Sequence, residues 1–183
     1  AIGGLSGTGK SVLATVLAPY FEPVPGALHL RSDIERKKAA GYSEYVRLVP
    51  DAYGPAVSAR VYSHLRELAT AALRAGRSVI VDATFLKESE RKEIERMAAR
   101  IGVPFQGLWL DAPHETLRQR VRDRRNDVSD ATVEVVDIQA AQDAGAIAWS
   151  RINASESPKV TGSRALVALE LGESVGHSFD GRP

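Results

Sequence analysis

A chain of 183 residues, 44% hydrophobic and 26% charged, suffices to bury one core and is short for two, so a single domain over residues 1–172 is expected. No stretch approaches the roughly 20 apolar residues of a membrane span, and no cationic start leads into an apolar core. The lack of cysteine excludes disulfides, thiolate metal sites and a thiol nucleophile, and a cytoplasmic setting fits. Twenty-four Lys and Arg against 23 Asp and Glu leave a net charge of +1, so any attraction for nucleic acid is local: Arg31 with Arg36, Lys37 and Lys38, or the run from Arg118 to Arg125.

Only Ala1 and Ile2 precede the first glycines, so a strand entering at Gly4 lies mostly upstream of the numbering and the chain reads as a fragment. Val12, Leu13, Val16 and Leu17 recur at helical spacing until Pro19 closes that helix. Leu28 to Arg31 is a strand candidate that runs into Ser32, Asp33 and a helix. Residues 41–55 are rich in turn formers and carry Tyr42, Tyr45 and Tyr53, and they read as an irregular cap over a substrate, with Tyr45 as a candidate contact.

Val57, Val61, Leu65, Leu68 and Ala72 mark a long amphipathic helix ending at Gly76, where the period changes to a strand over 78–83. A helix over 88–100, a strand over 105–110, an arginine-rich helix from Glu115, a helix over 130–143 and a strand over 149–152 follow. The tail from 173 reads as loop or disorder. Strand and helix in alternation favour an α/β/α sandwich around a mainly parallel sheet of about five strands, with ligands at the strands' carboxyl ends and the arginine-rich helix as a lid.

Gly4-Leu5-Ser6-Gly7-Thr8-Gly9-Lys10-Ser11 has the spacing G-x-x-x-x-G-K-[ST] between a strand and a helix. Its glycines let the backbone curl so that the N–H groups of Ser6, Gly7, Thr8 and Gly9 converge on one anion, and the following helix adds its positive dipole end. Such a cradle suits the triphosphate of ATP, with Lys10 reaching the outer phosphates and the Ser11 hydroxyl ligating Mg²⁺.

Phosphoryl transfer to an alcohol needs a base, a carboxylate near the metal, and cations over the migrating group. Asp33, just past the second strand, is the candidate base. Ser32 and Glu35 offer a competing reading as a capping box, with Asp33 merely facing the helix dipole. Asp82 ends the run Val79-Ile80-Val81 and can hold a magnesium-bound water, or cap the next turn. Arg120 and Arg124, four residues apart, share a helix face on which one guanidinium stacks on adenine and the other reaches the phosphates. Ser129 or Asp130 reads as a helix cap. His29, His64, His114 and His177 lack metal-ligand spacing and receive no role, and Trp109 and Trp149 read as core.

With these residues in place, the chain resembles the small P-loop kinases that include the 5′-kinase domain of phage polynucleotide kinase, zeta toxins, chloramphenicol phosphotransferase and gluconate kinase. The resemblance covers about residues 1–152 and rests on Gly4 to Ser11, Arg31 to Arg36, Val81 to Thr84 and the lid stretch Leu117 to Arg125. It implies a general base at Asp33, a substrate contact at Arg36, and contacts from Arg120 and Arg124 to ATP and the transferring group. Arg120, Arg124, Asp127, Ser129, Asp130 and Ala131, with Gln139, are most similar to the kinase half of bacterial proteins in which an aminoglycoside phosphotransferase-like domain precedes it, which implies an upstream domain. The expected activity is transfer from ATP to a hydroxyl of a small acceptor. The alternatives are a polynucleotide 5′-hydroxyl kinase and a nucleotide-dependent switch that modifies nothing.

Overall fold

Alternate residues of a strand face opposite ways, and the apolar strands of this chain use both directions. In a computed structural model that describes residues 1–124 and 127–170, the strands are β1 (Ile2–Gly4), β2 (Leu28–Arg31), β3 (Val79–Asp82), β4 (Leu108–Asp111) and β5 (Ser150–Asn153). They form one parallel sheet in the order β2-β3-β1-β4-β5. Ile80, Leu108, Leu110 and Ile152 point to one face, where they meet Leu13, Ala14 and Leu17 of α1 (Lys10–Leu17). Leu30, Val81 and Trp109 point to the other, against Val61, Leu65 and Ala69 of α3 (Pro55–Arg74) and Ile94 and Met97 of α4 (Glu88–Ile101). Trp149 joins that second core, so both tryptophans are buried. Each fully buried Leu, Ile or Phe contributes about 1.5–3 kcal/mol, and the sheet is covered on both faces as a parallel sheet requires.

Three further helices follow among the described residues, α5 (His114–Asp123), α6 (Val133–Ala140) and α7 (Pro158–Ala168), while α2 (Ser32–Ala39) follows β2 directly. Leu117, Val121 and Val136 pack α5 against α6 in a small separate cluster. Helix α7 was not anticipated, although Ser157 and Pro158 signal it: the Ser157 hydroxyl accepts from Val160 N at 3.4 Å and proline occupies the first turn. The cap over 41–55 is irregular except for a 3-10 turn at Pro50–Tyr53. Arg125, His177 and the tail expected from 173 lie outside the described residues. No helix among the described residues is long and apolar enough to cross a membrane.

Two expected caps are corrected. The capping box at Ser32 does not form, because the strand geometry persists through Arg31 and makes that residue the N-cap, with no side-chain cap bond. Glu35 instead binds Lys38 at 2.8 Å and faces His64 at 3.5 Å. Helix α6 begins at Val133 and is capped by Thr132, whose hydroxyl accepts from Val135 N at 3.4 Å, so neither Ser129 nor Asp130 is its cap.

Asp130 is freed for a different task. Lys37, 1% exposed, donates to Asp130 Oδ1 at 2.8 Å, Val128 O at 2.7 Å and Glu44 O at 2.9 Å. The other Asp130 oxygen accepts from Leu48 N at 2.9 Å and the Tyr53 hydroxyl at 2.7 Å. Burial works against the carboxylate, but Lys37, Tyr53 and the Leu48 amide outweigh it and hold Asp130 below the usual carboxylate range. The bond from Tyr53 to an anion, together with burial, raises the phenol. Removing one partner of a buried pair strands the other, so Lys37→Met is expected to cost about 3–5 kcal/mol in urea unfolding. Lys37→Met with Asp130→Leu should cost less than the sum of the singles, and strict additivity would show that the pair does not hold the cap.

Candidate functional site

Parallel register brings the functional segments to one rim. Ile2 and Arg31 both lie opposite Asp82, and Gly4 lies opposite Leu110, so the segments leaving β1, β2 and β3 emerge side by side. The turn after β1 needs its glycines. At Gly4, with φ of 133°, a Cβ would meet Leu110 O at 2.5 Å, and at Gly7, with φ of 87°, it would meet Leu117 O at 2.9 Å. Gly9 is the N-cap of α1, whose free amides therefore point into the same hollow. Lys10 Nζ bridges the Gly4 and Leu5 carbonyls at 2.9 Å each, and Thr8 Oγ1 donates to Leu5 O at 2.8 Å, which fixes the curl.

This loop forms one wall of a cavity of about 740 Å³ that Asp33, Arg36, Asp82, Arg124, Ser129 and Tyr53 also line. Asp33 sits in the first turn of α2, on the same rim as Lys10. Asp82 Oδ2 accepts from the Ser11 hydroxyl at 2.5 Å and lies 3.3 Å from His29 Nε2. Arg31 Nε is 3.9 Å from Asp82, and its NH2 is 3.9 Å from Asp127, which also pairs with Arg124 Nε at 3.2 Å.

The two central carboxylates are driven apart. Burial pushes Asp33 above its ordinary value of 3.8 and nearby Asp82 adds to the shift, against a hydrogen bond from Ser129 and the charges of Lys10 and Arg31. Burial also opposes ionisation of Asp82, but His29, Lys10 and Ser11 outweigh it and hold Asp82 below 3.8. Lys10 is lowered by burial, partly countered by Asp82 and Asp33. One carboxylate is thus held toward its anionic form while its neighbour holds a proton more tightly.

A hydroxyl and a carboxylate oxygen are hard donors, and Ser11 with Asp82 fits magnesium. The described residues contain no group of three or more His, Asp or Glu placed to hold an ion, so the remaining ligands would be water and phosphate oxygens.

Other expected residues are placed differently. Helix α5 ends at Asp123 and Arg124 is already extended, with φ −67° and ψ 130°, so Arg120 and Arg124 do not share a helix face. Arg124 turns to the cavity, whereas Arg120 donates to Ala154 O at 2.8 Å, Glu156 O at 3.0 Å and Ser155 O at 3.1 Å, outside the cavity wall. Tyr45 is 67% exposed and does not line the cavity; Tyr53 does. Arg36, 7% exposed, donates to Ala52 O at 2.8 Å, stacks over Tyr53 at 4.8 Å and faces the cavity. His29, given no role from the sequence, and Ser129, expected as a helix cap, both join the site through partners distant in sequence, Asp82 and Asp33. Gln139 is also brought in, its side-chain oxygen accepting from Ser6 N at 2.8 Å, so the Ser6 amide, expected to face the anion, is held by a side chain instead.

The raised Asp33 fixes a sign for stability. A carboxyl whose folded-state value lies above its unfolded one stabilises the fold below the unfolded value, and that contribution is lost as pH rises through the folded value. Asp33→Asn is therefore expected to melt higher than the wild type at pH 7, with the advantage shrinking as pH falls toward 4. Equal melting temperatures at pH 7 would contradict the strained carboxylate.

Comparison with known proteins agrees with this geometry. A family model described as AAA domain matches residues 1–143, and no curated protein matches the chain. Among solved structures, the fold is similar to a gluconokinase from Sinorhizobium meliloti at 18% identity, covering 92% of this chain and 89% of that one with a TM-score of 0.62. A sugar kinase from a Janibacter species is 22% identical, with 95% of each chain covered and a TM-score of 0.63. The Mycobacterium tuberculosis APS kinase, solved with AMPPNP and APS, is 19% identical, with 94% of this chain and 95% of that one covered and a TM-score of 0.61. Since the family match takes in the phosphate loop, Asp33, Asp82 and the lid segment, the chain belongs to the AAA domain family and carries the fold of the small P-loop kinases.

Proposed function

We propose that the protein is an ATP- and Mg²⁺-dependent kinase that transfers the γ-phosphoryl group to a hydroxyl of a small-molecule acceptor. The observation that carries this reading is the convergence of Asp33 and Asp82 on the cavity that the phosphate loop lines, with Asp82 accepting from the Ser11 hydroxyl at 2.5 Å. Solved neighbours named as a gluconokinase, a sugar kinase and an APS kinase support a small acceptor.

In this reading the loop amides from Gly7 to Ser11 bind the polyphosphate, and Lys10 leaves the Gly4 and Leu5 carbonyls for the outer phosphates. Ser11 and Asp82 would hold magnesium, which would supply positive charge against the phosphates. Asp33 accepts the proton of the acceptor hydroxyl as that oxygen bonds to the γ-phosphorus and the bond to the β-phosphate oxygen breaks, leaving ADP. Arg124 supplies positive charge over the group in flight. Arg36 retains a buried Nε with no hydrogen-bond partner and has no carboxylate partner among the described residues, which suits an acceptor rich in oxygen or bearing an anionic group. Tyr53 and Leu48 wall that end of the cavity, favouring a compact acceptor over a polymer.

Assays of ATP turnover with gluconate, other sugar acids, aminoglycosides, chloramphenicol, UDP-sugars and a 5′-hydroxyl oligonucleotide test the acceptor class. A small hydroxyl compound should be phosphorylated, whereas a salt-sensitive response to the oligonucleotide alone would overturn that part. With the responding acceptor, Asp33→Ala is expected to lower kcat by roughly 10²- to 10⁴-fold while calorimetry shows ATP affinity nearly unchanged. Normal transfer by this variant would remove Asp33 from the chemistry. In the wild type, the acid limb of kcat/KM should fall with an apparent pKa above 3.8, because Asp33 must be ionised to act.

A further inference from the structure

One short segment is bonded at one end to the phosphate loop and at the other to the acceptor cap. On the nucleotide side, Gln139 of α6 accepts from the Ser6 amide at 2.8 Å. On the acceptor side, the Asp130 carboxylate receives Lys37 at 2.8 Å, Leu48 N at 2.9 Å and the Tyr53 hydroxyl at 2.7 Å. The span between these ends is braced along its length. Thr132 caps α6, buried Val136 packs on Leu117 and Val121, and Arg118 grips both oxygens of Asp137 at 2.6 Å.

We propose that residues 130–139 form a strut through which occupancy of the phosphate loop positions the cap over the acceptor, with Gln139 and Asp130 as its positioning residues. This rests on the reading that the loop binds ATP. A polyphosphate pins the loop amides, and the Ser6 amide then holds Gln139, and with it α6, in one place. At the far end Asp130 fixes Leu48 and Tyr53, and Arg36, bonded to Ala52 O and stacked on Tyr53, is carried with them. Nucleotide thereby favours the arrangement seen here, in which the acceptor grip is joined to the loop. A ligand shifts such an element only by favouring one of its arrangements, and nucleotide favours the one seen here by fixing the loop in the form whose Ser6 amide meets Gln139. Because coupling of affinities is reciprocal, an acceptor that closes the cap tightens nucleotide binding by the same factor.

Hydrogen exchange read by mass spectrometry on the peptide covering residues 44–53, with and without saturating Mg–AMP-PNP, tests this without a known acceptor. Calorimetry on the same samples records nucleotide binding. In the wild type, exchange of 44–53 should slow by at least ~5-fold on binding, the lower end of ordinary coupling. Gln139→Met, which removes the acceptor atom but leaves the buried Lys37 to Asp130 pair intact, should still protect residues 4–11 yet lose the response at 44–53. The strut is refuted if Gln139→Met keeps the response at 44–53, or if the wild type shows none while calorimetry records binding. Absence of binding to the wild type would instead remove the ATP reading, and the strut with it.

Discussion

The site depends on strand direction. Because all five strands run parallel, every segment that leaves the sheet forward leaves at the same edge, and β1, β2 and β3 are neighbours there. The phosphate loop, Asp33 and Asp82 are contributed by three separate stretches of sequence, yet the register brings them within one cavity wall. The 2.5 Å bond from Ser11 to Asp82 is the contact in which the loop and the third strand meet. At this edge Lys10, Arg31 and Arg124 face Asp33, Asp82 and Asp127, a balanced set of charges.

Around that edge the protein retains polar groups at a cost to stability. Asp33 is only partly exposed in the cavity wall, and Arg31 and Arg36 each keep a buried Nε with no hydrogen-bond partner among the described residues. Unsatisfied groups of this sort persist where the surrounding structure fixes them, and they cluster where a ligand completes them. The cost is offset by the two apolar layers, and by the Lys37 to Asp130 pair that stitches α2, the cap and the segment after α5 together.

Local signals were legible in the sequence, and signals made by side chains meeting across the fold were not. The phosphate loop could be read because glycine spacing, a lysine and a helix start are contiguous. Asp33 and Asp82 could be placed at the sheet's edge because one follows, and the other ends, a strand readable in the sequence. Asp130 was read as a cap because nothing local reveals that Lys37, ninety-three residues earlier, ends beside it. His29 gave no signal because its partner, Asp82, lies on the neighbouring strand. Arg120 and Arg124 were placed together by assuming that helical spacing continued, and the helix stops one residue too soon. Tyr45 and Tyr53 were indistinguishable in an irregular stretch, where no period tells which side chain turns inward.

A crystal structure with Mg–AMP-PNP measures the central claim most directly. The account predicts the β-phosphate among the amides of residues 7–11, Lys10 moved from the Gly4 and Leu5 carbonyls to the outer phosphates, and Asp33 facing the γ-phosphorus across a gap that fits one hydroxyl. A nucleotide bound elsewhere, or a γ-phosphate turned away from Asp33, would contradict it.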